Sequence, residues 1–404
     1  MLIQKNYVTL FLKIYKKAKE LARFYFTPSH WYLFTFKPVN KLYTDKERLG
    51  LVMYWLKKGS TKSGTNSISY GYNLNKGWLA AYPETNGYII TTLINYFKYT
   101  GSKQWFELAE CIAKWEISIQ LPNGSVSVQY SGNELADVFD TGMVLEGYIN
   151  IYKVTEDMQY LEAAKRAGNF LIKNQEPDGS WTKYSYKNIP HSYHTLIAQA
   201  ILKLYIILKE DKYIKSVESL LQWVVSVKKN NGWFEYQAFT AEEEPYTHTM
   251  AYFMQGLLEI YKLNQFCGNR FAYVLDIIKA YCDKLIQSFN LTNRGENIYI
   301  LPGQVNSKWE SAADYICITG NAQFSIVFNE LFCITKNREY KKVADILLNI
   351  VNKFQIITRA DTPFSGAISG SYPIKGQYHS YEFPNWASKF YADALMLNNE
   401  LNVS

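Results

Sequence analysis

The side chains of this 404-residue chain that can do chemistry gather at the heads of apolar helical runs. His191, Tyr193 and His194 stand in Lys187-Asn-Ile-Pro-His-Ser-Tyr-His-Thr195, directly before an apolar run that reaches Tyr205. Pro190 sits where a helix can begin, because its missing N–H would be unpaired there anyway. Tyr246 and His248 precede the run Met250–Tyr261 in the same way. Tyr82 with Glu84, Asp140, Asn321 with Gln323, and Trp386 head four more runs. Helix N-termini favour negative charge and offer loose N–H groups, so six heads facing one cavity would make a site for oxyanions or carboxylates. Of the five histidines, His191, His194, His248 and His379 lie in these heads or in the loop leading to one, which is why the heads are read as functional.

These groups admit several chemistries. In β-elimination on a uronate, Asn321 or Gln323 neutralises the substrate carboxylate so that the C5 proton becomes acidic. His191 or His248 removes that proton, and Tyr193, Tyr246 or Tyr372 protonates the leaving oxygen. Hydrolysis instead needs two carboxyl groups flanking a glycosidic bond, and Glu84 and Asp140 open adjacent runs. Asp140, before Thr141-Gly142, also has the position of an N-cap. Histidine and tyrosine dominate, so the expected activity is a polysaccharide lyase. A C5-epimerase, a glycoside hydrolase and a non-catalytic glycan-binding protein are the alternatives. Tyr82, Trp309 and Trp386 are expected as sugar-stacking platforms, and Glu84, Asp140, His194, Gln323 and His379 as further substrate contacts. His191 and His194 are three apart, but no HExxH run or cysteine cluster joins them, so neither a metal nor a cofactor is expected. The five cysteines lack CxxC spacing and read as reduced core residues.

The elements that must hold these heads form an internal repeat of roughly 52–70 residues. Uniformly apolar runs at 86–99, 141–153, 194–208, 249–263 and 321–335 alternate with segments that place an aromatic before apolar residues at helical spacing, beginning at Trp105, Tyr160, Tyr213, Tyr340 and, more weakly, Phe271. A helix apolar on all sides is buried and one with a single stripe lies outside. A sixth inner helix, Trp386–Leu397, pairs with Asp45–Lys58, so both chain ends close one ring. The fold expected is all-α: an (α/α)6 toroid over 44–404, with sparse, short strand signals in connecting loops, for example at Ser125–Tyr130 and Tyr299–Leu301. The Gly-centred turns at Asn123-Gly124, Asp178-Gly179 and Asn231-Gly232 read as plain connections.

Aromatics make up 16% of the chain, with 34 Tyr, many in polar contexts such as Tyr70, Tyr72, Tyr184, Tyr186, Tyr378 and Tyr381. The net charge of +7 carries no dense Lys/Arg block, so an acidic oligo- or polysaccharide is the expected partner and nucleic acid is not. Residues 1–43 are basic and amphipathic. They fit a first helix packed on the body or a peripheral membrane contact. They lack the layout of a secretory signal, which sets the cytoplasm as the expected compartment with the periplasm as alternative.

Ala81-Tyr-Pro-Glu-Thr-Asn-Gly-Tyr-Ile-Ile90, Val138-Phe-Asp-Thr-Gly142, His191-Ser-Tyr-His-Thr195, Tyr246-Thr-His-Thr249, Ile318-Thr-Gly-Asn-Ala-Gln323, Gly370-Ser-Tyr-Pro-Ile-Lys-Gly376 and Phe383-Pro-Asn-Trp386 together resemble a bacterial (α/α)-toroid family encoded among surface-polysaccharide genes, O-antigen clusters included. The resemblance covers about 70–400. More loosely it extends to toroid polysaccharide lyases, uronyl hydrolases and sugar epimerases. It implies carbohydrate chemistry on a bacterial glycan. It weights His191 and His248 above His194, where family members often carry Asn, and leaves His379 as a substrate contact. Gln175-Glu-Pro-Asp-Gly-Ser-Trp181 also matches the glutamine–tryptophan turn of terpene cyclases, but no DDxxD or DxDD motif accompanies it.

Overall fold

The computed structural model describes residues 43–128, 135–292, 300–358 and 362–403. Within them the inner helices are α2 (Pro83–Thr100), α4 (Val138–Thr155), α6 (Thr195–Leu208), α8 (Thr247–Leu263), α10 (Ile318–Thr335) and α12 (Asn385–Val403). The outer helices are α1 (Asp45–Ser60), α3 (Lys103–Ile119), α5 (Met158–Lys173), α7 (Asp211–Ser226), α9 (Val274–Phe289) and α11 (Arg338–Phe354). Each inner helix packs on the next, and α12 packs on both α2 and α1, so the ring closes through the two ends of the chain as expected. The division follows from the side chains. In α6 every residue from Thr195 to Leu204 is buried, whereas α11 buries a stripe at Tyr340, Val343, Ala344, Leu347, Leu348 and Val351. Inner helices touch closely: a Cβ on Gly87 of α2 would come within 2.7 Å of the Met143 backbone of α4.

The turns repeat with the helices. α2, α4, α6 and α10 end on a left-handed residue (Gly101, Glu156, Lys209, Lys336) whose N–H donates to the carbonyl four residues back, which satisfies a loose carbonyl before the outer helix starts. At the far end of three outer helices a glutamine amide clamps the next layer. Gln120 Nε2 donates to the carbonyls of Gly124 and Ala163, Gln175 Nε2 to those of Gly179 and Ser216, and Gln355 Nε2 to those of Gly366 and Arg48. Gly179 has φ 94°, and a Cβ there would lie 2.2 Å from the Ser219 carbonyl oxygen, so the turn requires glycine. The glutamine–tryptophan turn is therefore a structural clamp, completed by Trp181, whose Nε1 donates to Leu171 O.

Short strands trim one mouth of the ring. β1 (Gly71–Asn73) lies between β2 (Gly77–Trp78) and β7 (Glu382–Pro384). β3 (Val126–Ser127) pairs with β4 (Ala136–Asp137), and β5 (Ile316–Cys317) with β6 (Ser371–Tyr372). The β1–β7 register, Tyr72 opposite Phe383, ties the head of α2 to the head of α12. Two expectations need correction. Leu301 is in no strand, and the weak outer marker 269–274 is the turn before α9, with buried Phe271 as its plug. Residues 1–42, read as a membrane-contact or packing helix, lie outside the described residues. No helix among the described residues is long and apolar enough to cross a membrane.

Candidate active site

The heads of α2, α4, α8 and α12, with the turn before α6, surround a cavity of 680 Å³ at the stranded mouth. Of the side chains predicted from sequence, Tyr82, Glu84, Asp140, Tyr193, Tyr246, His248, His379 and Trp386 line it. The rest do not. His191 is fully buried, and its two ring nitrogens face the backbone oxygens of Ala238 (3.0 Å) and Tyr186 (3.1 Å). That leaves no nitrogen for a substrate, so the expected base is a loop staple. Burial pushes its pKa down to about 4 despite those carbonyls. His194 is buried beside Trp181 and Phe139 and is no substrate contact.

Asn321, expected to neutralise a carboxylate, spends its amide on Leu301 and Cys317. Tyr372 stacks on Phe354 at 4.4 Å, away from the cavity. Trp309 is a core plug at φ 67° against Tyr281 and Trp233. Gln323 is buried behind the wall and acts on His248, as described below.

The floor holds an acid cluster that was only half anticipated. Helix α4 begins at Val138, one residue after β4, so its N-cap is Asp137 and not Asp140. Asp137 Oδ1 accepts from the N–H groups of Phe139 (2.7 Å) and Asp140 (3.0 Å). Asp140 is thus within the first turn of the helix and lines the cavity with Asp137. Its Oδ1 accepts from the Tyr82 hydroxyl at 3.1 Å, while its Oδ2 is buried with no partner. Glu84, from the first turn of α2, accepts a long hydrogen bond from Tyr252 (3.4 Å). Burial raises all three carboxyls, and repulsion between the acids adds to it for Asp140 and Glu84. Asp140 is pushed well up by burial, Asp137 and Glu84; Glu84 is pushed up to about 8 by burial and Asp137; burial lifts Asp137 to about 6 against its two N–H bonds. Burial and repulsion thus favour the protonated forms of Asp140 and Glu84 more strongly than that of Asp137, whose carboxylate the two N–H groups stabilise.

The opposite wall carries His248 at the head of α8. Its Nδ1 lies 2.6 Å from Gln323 Oε1, and Gln323 Nε2 donates to Gln255 Oε1 at 2.9 Å. The ring is 4.1 Å from that of Tyr252, and burial pushes its pKa down to about 3. Trp386 Nε1 donates to the Tyr378 hydroxyl at 2.7 Å, which fixes an indole edge-on to Tyr70 (4.6 Å). His379 Nδ1 lies 2.9 Å from Glu382 Oε2, and that bond helps hold Glu382 below its usual pKa against burial.

Sequence reading missed Asp137, Glu243, Glu382, Phe139, Phe239 and Tyr252 as cavity residues, while Tyr70, Tyr186 and Tyr378 had been marked only as tyrosines in polar contexts. Among the described residues no group of three or more His, Cys, Asp or Glu is arranged to hold a metal ion.

Comparison with known proteins adds two findings. Residues 60–230 match the model of the β-L-arabinofuranosidase GH127 catalytic domain, a stretch that contains Glu84, Asp137 and Asp140. Solved (α/α)6 toroids superpose over most of the chain. An unsaturated glucuronyl hydrolase specific for heparin gives a TM-score of 0.66 at 14% identity, covering 89% of this chain and 98% of that one. The glycosaminoglycan-degrading unsaturated glucuronyl hydrolase of Bacillus sp. GL1 gives 0.66 at 14%, covering 87% and 96%. The Listeria innocua Lin0763 protein gives 0.61 at 14%, covering 89% and 98%. At such identities the likeness establishes the toroid fold. No curated protein sequence matches the chain.

Proposed function

We propose that this chain is a glycoside hydrolase acting on a glycan, with Asp140 as general acid. One observation carries the reading: Asp140, a cavity residue whose carboxyl is pushed well up by burial and by the acids beside it, has one oxygen held by Tyr82 and no protein partner at the other. A carboxyl so held has no protein acceptor for a proton. The Asp140 carboxyl gives its proton to the leaving glycosidic oxygen as the bond to the anomeric carbon breaks. Water adds to that carbon and yields its proton to Asp137, the ionised neighbour, so that one water is consumed per bond. The match of residues 60–230 to a glycosidase model supports the reading, because it spans all three acids.

β-Elimination, expected from the His and Tyr count, keeps His248, Tyr193 and Tyr246 in the cavity but loses its neutraliser, since neither Asn321 nor Gln323 lines it. His191, Asn321 and Tyr372 lie outside the cavity, and among its described lining residues there is no Lys or Arg to neutralise a uronate. The test is release of reducing ends from a panel of oligosaccharides and aryl glycosides. Wild type should cleave at least one of them, and Asp140→Asn should lose about 10²–10⁴-fold in kcat. A rising absorbance from a new C4–C5 double bond, or an Asp140→Asn enzyme as active as wild type, would overturn the proposal.

A further inference from the structure

Resting on the hydrolase reading, the geometry points to an uncharged sugar, held through its hydroxyls, as the ring bound at the acid cluster in preference to a uronate. The cavity wall is built of acceptors. Asp137, Glu243 and Glu382 line it as carboxylates beside Glu84 and Asp140, and the described lining residues include no Lys or Arg. Burial raises Glu243 too, against hydrogen bonds from Thr240 and Phe239 and with no cation among the groups acting on it. A sugar carboxylate would add a further negative charge to a site whose own acids already repel one another.

Of the two imidazoles in the cavity, His379 is already engaged by Glu382 Oε2 at 2.9 Å, and His248, which would be the natural counter-charge for a uronate, is kept neutral by its environment. Gln323 Nε2 is committed to Gln255 Oε1, so the Gln323 oxygen must point at His248 Nδ1. That nitrogen then carries the ring proton, and Nε2 is left as a lone pair. Gln255 itself reaches the cavity at the other end of the ring, so two amides running behind the wall set the tautomer. A lone pair there accepts a hydroxyl and repels a carboxylate. Gln323 is thus a positioning residue for specificity, not the substrate ligand expected from sequence.

Two measurements test this. First, nitrogen-15 NMR of the His248 ring at pH 7 should show Nδ1 protonated and Nε2 bare; an Nε2–H tautomer or an imidazolium overturns the acceptor role. Second, calorimetry on Asp140→Asn, an isostere of the protonated acid, compares ligand pairs differing only at C6: glucoside and glucuronide, galactoside and galacturonide, mannoside and mannuronide. A Δ4,5-unsaturated glucuronyl disaccharide serves as a further acidic ligand.

At least one uncharged member should bind tenfold or more tighter than its acidic partner, and Gln323→Glu, which favours an imidazolium, should narrow that ratio. Equal or tighter binding of the acidic members, or no saturable binding of any, overturns the inference. If wild type cleaves nothing yet the binding preference holds, the hydrolase reading fails and this one stands. If wild type cleaves but prefers uronates, the reverse is true.

Discussion

The two ends of the toroid axis are built from the same inner helices and treat charge in opposite ways. At the far end, a cavity of 530 Å³ is lined by Glu146, Lys203, Glu259, Lys262, Glu330, Lys389 and Asp393 among others. Lys203 pairs with Glu146 at 2.8 Å and Glu259 at 3.6 Å, Lys262 with Glu259 at 2.7 Å and Glu330 at 3.0 Å, and Lys389 with Asp393 at 2.9 Å. Burial alone would raise Glu259, yet Lys203 and Lys262 pull it down to about 2. At the stranded end, Glu84, Asp137 and Asp140 meet no cation, and all three rise. Tyr252 lines both cavities and separates the two regimes. Paired acids hold helices together and stay ionised, whereas unpaired acids store protons at a cost in stability, which is the signature of a working site.

Exchanging one oxygen for nitrogen at each end should break this symmetry most visibly. Asp393→Asn at the paired end should leave kcat within about twofold, because Asp393 lines the far cavity and not the one that holds the acid cluster. Asp140→Asn should remove about 10²–10⁴-fold, as argued above. Comparable losses at both ends would mean that the acid cluster is no more chemical than the ion-pair ring. Next in size is a stability effect confined to the paired end. Lys203→Met leaves the largely buried Glu146 without its cation, while Glu259 keeps Lys262, and losing one member of such a network costs about 3 kcal/mol. Denaturant unfolding should show the drop, while kcat per folded molecule stays near wild type.

The difference between the ends also explains what could be read from sequence. Helix order, the inner–outer alternation and ring closure by Asp45–Ser60 and α12 were legible because apolar periodicity and turn residues are local signals. The site was legible only in part because roles are assigned by groups distant along the chain. His191 reads as a base until the carbonyl of Ala238, 47 residues on, takes one of its nitrogens. Gln323 reads as a ligand until His248, 75 residues back, meets its oxygen.

Asp137 and Asp140 are both plausible caps by type, and β4 decides between them by running straight into α4. A second aspartate three residues before the first was the available signal, since a helix start needs only one cap. The far ion-pair ring drew no attention, because its members are spread over five helices, α4, α6, α8, α10 and α12, as isolated charges in apolar runs.

The smallest effect sharpens the comparison through pH. Glu84 titrates at about 8 when folded, against the 4.5 of an ordinary glutamate, so the folded state binds more protons than the unfolded one between those values. Its contribution is therefore fully favourable below about 4.5 and is lost as pH rises through about 8. Glu84→Gln keeps the neutral shape and removes the titration. The variant should match wild type at pH 5 and exceed it by about 1–3 kcal/mol at pH 8.5, read as a gap in Tm that widens with pH. At the paired end the sign reverses, because Glu259 is depressed: its contribution is present above about 4.5 and fades as pH falls toward 2. Glu259→Gln should therefore lose stability at pH 8.5 and recover relative to wild type in acid. Parallel Tm curves for the two variants would erase the distinction between stored protons and paired charge.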